Sequence, residues 1–239
     1  MKRAIVMGAS SGLGLEVARR LKECGWTVGV AARRQNRLAE FEVAARIDVT
    51  SKEAGEQLMQ LVERLGGMDL YFHASGVGKQ NRELQEDIEL RTMETNATGF
   101  TRMVGAAYRY MASHGGGHIA VISSIAGTKG LGPAPAYSAT KALQNTYIEA
   151  LEQLANTRKL NICFTDLRAG FVDTDLLRPD TAETEMTRYP MLMDAATVAR
   201  DMVRSIERRR HVRVIDWRWR TVTAAWRLIP RWLWRRFKL

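Results

Sequence analysis

The sequence predicts an α/β fold: a single domain on a doubly wound parallel sheet of seven strands, with a basic amphipathic C-terminal tail. Three observations predict it. Apolar runs of strand length alternate with longer stretches of helical period, the order that builds βαβ units. The run Ile119-Ala120-Val121-Ile122 is apolar throughout, as a parallel strand covered on both faces must be. A chain of 239 residues with 46% hydrophobic content can also bury most of its apolar surface in one unit.

Taken in order, strands are expected at about 3–7, 27–32, 44–47, 68–74, 118–123, 160–167 and 211–215. Helices are expected between them at about 12–24, 35–42, 52–65, 87–113, 136–157 and 195–208. The stretch from Thr174 to Asp194 lacks a clean period and reads as a mobile segment over a substrate. This divides the chain into a domain at 1–216 and a tail at 217–239.

Composition narrows the function classes. The apolar run Ala4-Ile5-Val6-Met7 is shorter than the roughly 7–15 residues of a secretion signal, and it leads straight into glycines. No stretch approaches the roughly 18 consecutive apolar residues of a membrane span, so a cytoplasmic protein is expected. Cys24 and Cys163 lack the spacing of a metal site or a disulfide framework; they are expected to be buried thiols in a reducing compartment, with no metal bound. The net charge of +10 is localised: residues 208–239 hold ten arginines, one lysine and one acid, Asp216, while the remainder is neutral.

The first strand runs into Gly8-Ala9-Ser10-Ser11-Gly12-Leu13-Gly14, and a helix bearing Leu15, Val17, Ala18 and Leu21 follows. Glycines at this junction let the backbone turn tightly, let a pyrophosphate approach the helix N-terminus and let the helix pack close to the sheet. A dinucleotide site follows from that position. The end of the second strand, Val30-Ala31-Ala32-Arg33-Arg34, has no carboxylate to hold a ribose 2′-hydroxyl. A guanidinium there would instead pair with a 2′-phosphate in a bidentate fork. NADP(H) is therefore the expected cofactor, with Arg33 as the main contact and Ser10 or Arg34 assisting.

Further along, Tyr137-Ser138-Ala139-Thr140-Lys141 places Tyr137 and Lys141 four apart, on one helix face. A phenol with a pKa near 10 is a poor proton shuttle at neutral pH, and a nearby ammonium stabilises its phenolate. Ser123-Ser124 ends a strand upstream, where a hydroxyl could bond a substrate carbonyl.

Together these motifs resemble the short-chain dehydrogenase/reductase family, whose fold is of the Rossmann type. The resemblance rests on Gly8-x-x-x-Gly12-x-Gly14, on Ser124 with Tyr137 and Lys141, and on Asn96 within Met93-Glu94-Thr95-Asn96-Ala97. It implies a catalytic quartet of Asn96, Ser124, Tyr137 and Lys141, interconverting a carbonyl compound and its alcohol by hydride transfer. Tyr137 would exchange the proton, Lys141 would lower the Tyr137 pKa and bind the nicotinamide ribose, Ser124 would polarise the carbonyl, and Asn96 would hold a water leading to Lys141. It also implies cofactor contacts from Asp48 and Val49 on the adenine side, although Asp48 reads almost as well as a helix cap together with Thr50 or Ser51. Two departures stand out. The chain reads His73-Ala74-Ser75-Gly76 where Asn-Ala-Gly is usual, and Arg168-Ala169-Gly170 where Pro-Gly is usual. Ala74, Ser75, Gly76, Gly170, Val172 and Thr174 are still expected at the cofactor, and His73 as a structural histidine. A homodimer through the helices at about 87–113 and 136–157 is implied as well. A catalytically idle NADP(H) sensor or membrane scaffold is the rival reading.

In the tail, Trp219, Val222, Trp226, Ile229, Leu233 and Phe237 form one stripe at about 100° per residue, with arginines opposite. Pro230 lacks an amide donor and must break the helix into two pieces. Such a stripe suits the surface of an anionic membrane, or packing against the body or across a dimer interface; nucleic acid is not an expected partner. With Met186, Tyr189, Met191, Leu192 and Met193, it suggests an apolar or lipid-like substrate.

Overall fold

The computed structural model describes residues 2–177 and 189–237. Among them, seven parallel strands form one sheet: β1 (Arg3–Met7), β2 (Thr27–Ala32), β3 (Val43–Arg46), β4 (Leu70–His73), β5 (Gly117–Ile122), β6 (Ile162–Arg168) and β7 (Val212–Val214). Their order, β3-β2-β1-β4-β5-β6-β7, is the Rossmann arrangement. Sequence order reverses between β1 and β4, so a crevice opens at their C-terminal ends, where doubly wound folds bind ligands.

Adjacent residues of a strand point to opposite faces, so each face acquires its own core. On one, Val17 and Leu21 of α1 (Gly12–Glu23) and Met202 and Ile206 of α6 (Ala195–Glu207) pack against Val6, Val30 and Phe72. On the other, Leu58 and Leu61 of α2 (Ala54–Leu65), Val104 of α4 (Phe100–Ser113) and Ile148 of α5 (Pro135–Thr157) cover Ile5, Tyr71 and Ile119. Each such side chain contributes about 1.5–3 kcal/mol by leaving water.

Several expectations are corrected. The helix expected at 35–42 is only a 3₁₀ turn, Gln35–Leu38, which buries Leu38 alone and gains too little packing to propagate. The long helix expected at 87–113 is α3 (Glu86–Met93), a π turn (Glu94–Gly99) and then α4. The π turn brings Gly99 against Val49; a methyl group there would lie 2.8 Å from Val49 Cγ2. Cys24 is exposed, because it occupies the turn that ends α1, and Cys163 is only half-buried.

The tail forms α7 (Trp217–Leu228) and α8 (Arg231–Trp234), interrupted at Pro230 as expected. Its tryptophan stripe turns toward the body. Trp219 is buried in the core, edge-on to Phe171 at a centroid distance of 5.6 Å. Trp226 Nε1 donates to Thr128 Oγ1 at 2.8 Å and Trp234 Nε1 to the Gly130 carbonyl at 2.8 Å, while Lys129 Nζ donates to the Ile229 carbonyl. Val222, Leu233 and Phe237 of the stripe stay open to solvent. No helix among the described residues is long and apolar enough to cross a membrane.

Candidate active site

The crevice is built from glycine contacts. Gly8 has φ +94°, a conformation that disfavours side chains, and a methyl group there would meet Ser75 N at 2.6 Å. One on Gly14 would meet the Gly8 carbonyl oxygen at 2.2 Å and Ala74 Cβ at 3.1 Å, which is how α1 comes so close to the sheet. Gly12 lies against the Thr174 side chain, bringing the two ends of the crevice together. Ser11 precedes α1 without capping it, and no acid stands in the first turn; Leu13 is half-buried beside the turn. The helix N-terminus thus keeps backbone donors and positive dipole for an anion. A pyrophosphate fits this cradle.

At the end of β2, Arg34 Nη2 donates to Ser11 Oγ at 2.8 Å and Ser10 Oγ at 3.2 Å. Arg33 is exposed; burial pushes the Asp48 carboxyl up, but bonds from the Thr50 amide and hydroxyl, aided by the charges of Arg33 and Arg46, hold its pKa below the ordinary value. Asp48 accepts bonds from the Thr50 amide and hydroxyl, so it serves its own turn. The Val49 carbonyl is taken by Arg102 at 2.8 Å.

Across the crevice lie Tyr137, Lys141 and Ser124. Tyr137 and Lys141 stand one turn apart on α5, and Lys141 Nζ lies 5.6 Å from the Tyr137 ring centroid. Ser124 ends the segment after β5; its hydroxyl accepts from the Ala126 amide at 3.1 Å and donates to the Ala169 carbonyl at 3.3 Å. Burial pushes the Tyr137 phenol above its ordinary pKa, and Ser124 beside it acts in the opposite direction. Burial also pulls Lys141 down to about 8, against an opposing pull from Asp166. The ring of Tyr137 is held by Gly78, where a methyl group would come within 2.8 Å of Cε2. Gly76 links the two sides: a methyl group there would sit 3.9 Å from Lys141 Nζ, one residue beyond the Ser75 that touches Gly8.

Asn96 is placed by the π turn, which adds a residue per turn and aims the side chain at the loop after β4. Its amide clamps Val77, accepting from the amide at 2.8 Å and donating to the carbonyl at 2.7 Å. Asn96 also joins Lys141 through a side chain. Gln144 Nε2 donates to the Asn96 carbonyl at 2.8 Å, and Lys141 Nζ donates to Gln144 Oε1 at 2.9 Å and the Ile122 carbonyl at 3.1 Å. Sequence reasoning missed Gln144. Its signal was present: a polar residue seven after Tyr137 and three after Lys141, on the face that α5 buries.

Asp166 was missed as well, in a strand expected to be apolar. It is buried behind Lys141, accepting from Ser123 and pairing with Arg168 Nε at 2.7 Å. His73 is buried on β4, with Nδ1 bonded to Tyr71 Oη at 2.9 Å and its ring edge against Phe100, which fits its structural reading. Burial, reinforced by the charge of Lys141, lowers its pKa to about 3. Gly170 abuts Trp219 and Val172 bridges Met193, so the loop after β6 is braced by the tail and by the segment before α6. Met193 is thus a core residue, whereas Leu192 is exposed and Tyr189 lies against Phe171. Met186 and most of the segment read as mobile lie outside the described residues.

Comparison with known proteins decides the family. The model of the short chain dehydrogenase family matches residues 2–185. The chain belongs to the short-chain dehydrogenase/reductase family. An oxidoreductase of Mycobacterium tuberculosis is 30% identical over 99% of this chain and 97% of its own length. One from Myxococcus xanthus is 32% identical over 80% and 77%. Among solved structures, an actinorhodin polyketide ketoreductase variant with NADPH is 30% identical, with a TM-score of 0.73 over 86% of this chain and 89% of that one. A short chain dehydrogenase/reductase from Burkholderia phymatum in complex with NAD shares the fold, with a TM-score of 0.80 at 21% identity over 93% and 92%. This dehydrogenase/reductase is accordingly an oxidoreductase of a family that binds a nicotinamide cofactor and acts on small molecules.

Proposed function

We propose that this chain reduces an apolar carbonyl compound to its alcohol, or the reverse, with NADP(H). The convergence of Ser124, Tyr137 and Lys141 on the crevice lined by Gly8 and Gly76 carries the reading. A bound nicotinamide would supply or accept the hydride. Tyr137 then gives its phenolic proton to the carbonyl oxygen, Ser124 orients that oxygen, and the Lys141 ammonium offsets charge on the phenolate. Gln144 and the Ile122 carbonyl hold the ammonium so that it faces Tyr137. No observation favours the idle-sensor reading.

Preference for the phosphorylated cofactor is supported by the absence of a carboxylate after β2 and by Arg34 on Ser10 and Ser11 beside exposed Arg33. The ketoreductase relative carries the same cofactor. Replacing Arg33 by Ala should erase a preference for NADPH over NADH in kcat/KM; equal use of both by the wild type would refute the assignment. We read Gly8, Ser10, Ser11, Gly12, Leu13, Gly14, Asp48, Val49, Ala74, Ser75, Gly76, Gly170, Val172 and Thr174 as the remaining cofactor shell. We read the protein as cytoplasmic, and a homodimer is supported by Leu90, Met93, Leu143 and Leu154, which α3 and α5 leave exposed. Peripheral attachment to a membrane is part of the same reading. The deciding test is Tyr137→Phe: turnover should fall at least about a thousandfold while NADPH binding persists, and substantial residual turnover would end the proposal.

A further inference from the structure

The tail has two faces, and the body uses only one. Trp219, Thr223 and Trp226 of α7 turn inward. At about 100° per residue, Trp217, Thr221, Ala224 and Leu228 lie opposite them, within about 60° of each other. All four are exposed, Trp217 by 69% and Leu228 by 84%, and α8 adds Trp232 at 63%. Arginines border this strip: half-buried Arg218 on one side, exposed Arg220 and Arg227 on the other, then exposed Arg231, Arg235 and Arg236. We infer that this outer strip, not the tryptophan stripe legible in the sequence, is a docking surface for a bilayer rich in anionic lipid.

Charge complementarity identifies the occupant. The whole net charge of +10 arises within residues 208–239, and the one acid there, Asp216, is already bonded to Arg218 at 2.7 Å. A second copy closing symmetrically on this strip would set arginines against arginines without acids to offset them. Phosphate-rich nucleic acid would answer the charge but leave Leu228, Trp217 and Trp232 in water. A bilayer interface answers both, with rings at headgroup depth and guanidiniums on lipid phosphates. The inward contacts fall on Thr128, Gly130, Gly170 and Phe171, which flank Ser124 and the loop after β6, so docking would seat the mouth of the crevice beside the membrane. The inference deepens the attachment reading above, but its test reads no turnover and so stands apart from the catalytic proposal.

The full chain is mixed with vesicles of phosphatidylcholine alone or with one third phosphatidylglycerol, and floated at physiological salt. Flotation with the anionic vesicles only, and quenching of tryptophan emission by brominated lipid, are expected. The variant R227E/R231E/R235E and, separately, W217S/L228S/W232S should lose more than about tenfold in vesicle affinity while melting like the wild type, because none of these side chains makes the inward contacts. Absence of flotation, equal flotation with neutral vesicles, or undiminished binding by either variant would overturn the inference. So would binding of duplex DNA at that salt without vesicle binding, or a change of oligomeric mass in the variants.

Discussion

The surroundings of Lys141 and the C-terminal tail both break the rule of apolar inside and polar outside, in opposite senses. Around Lys141 the interior is polar: Asn96, Gln144, Asp166 and Ser123 are buried and bonded to one another or to backbone. On α7 and α8 the surface is apolar, and Trp217, Leu228 and Trp232 have solvent where a core residue would have neighbours. Buried polar groups are stabilised by bonding to one another, as these are, so the first region is largely complete in itself. Exposed apolar groups need no partner to fold, so the second can be completed from outside.

The contrast is broken most severely at Trp219, on the inner side of the tail. Trp219→Ala should cost about 3–5 kcal/mol in urea unfolding, whereas Trp217→Ala, two residues away on the outer side, should stay within about 0.5 kcal/mol. Equal costs would mean that α7 does not pack by the face described.

A smaller effect, specific to the buried polar side, is acid sensitivity. Burial lowers the folded-state pKa of His73 to about 3 and, at the far end of the sheet, that of His118, near the start of β5 and bonded to Thr165, to about 4, both below the ordinary 6.5. Unfolded chains take up these protons first, so stability is complete above about pH 6.5 and falls as pH drops toward the folded values. At pH 5 the loss from His73 alone should be about 2 kcal/mol. His73→Asn should flatten the slope of stability against pH between about 6.5 and 5 by that amount; an unchanged slope would refute the cause.

The smallest effect sharpens the role of Gln144 as a positioning residue. Its carbonyl accepts from the Lys141 ammonium and so favours the charged form. Gln144→Leu should lower the Lys141 pKa, moving the alkaline limb of the reductase pH profile down by about one unit. Gln144→Glu should move it the other way. A uniform loss at every pH would instead indicate a merely structural role.

Much of this was legible beforehand. The seven strands fall within two residues of their expected ends, because short apolar-rich runs between turns fit a covered sheet. The glycine turn and the Tyr137–Lys141 pair were legible because short-range geometry sets them: a strand-to-helix junction and one turn of helix. The π turn that aims Asn96, by contrast, carries no local sign, since Glu94–Gly99 continues a helical pattern.

The sequence by itself determined which residues could do proton chemistry and that the tail would be amphipathic, since both follow from side-chain type and period. Tertiary structure alone decided what each group faces: that Gln144 joins Lys141 to Asn96 across 48 positions, and that Trp219 enters the core while Trp217 stays in water. Periodicity names a face of a helix but not its neighbour. Neighbours are chosen by the packing of segments far apart along the chain.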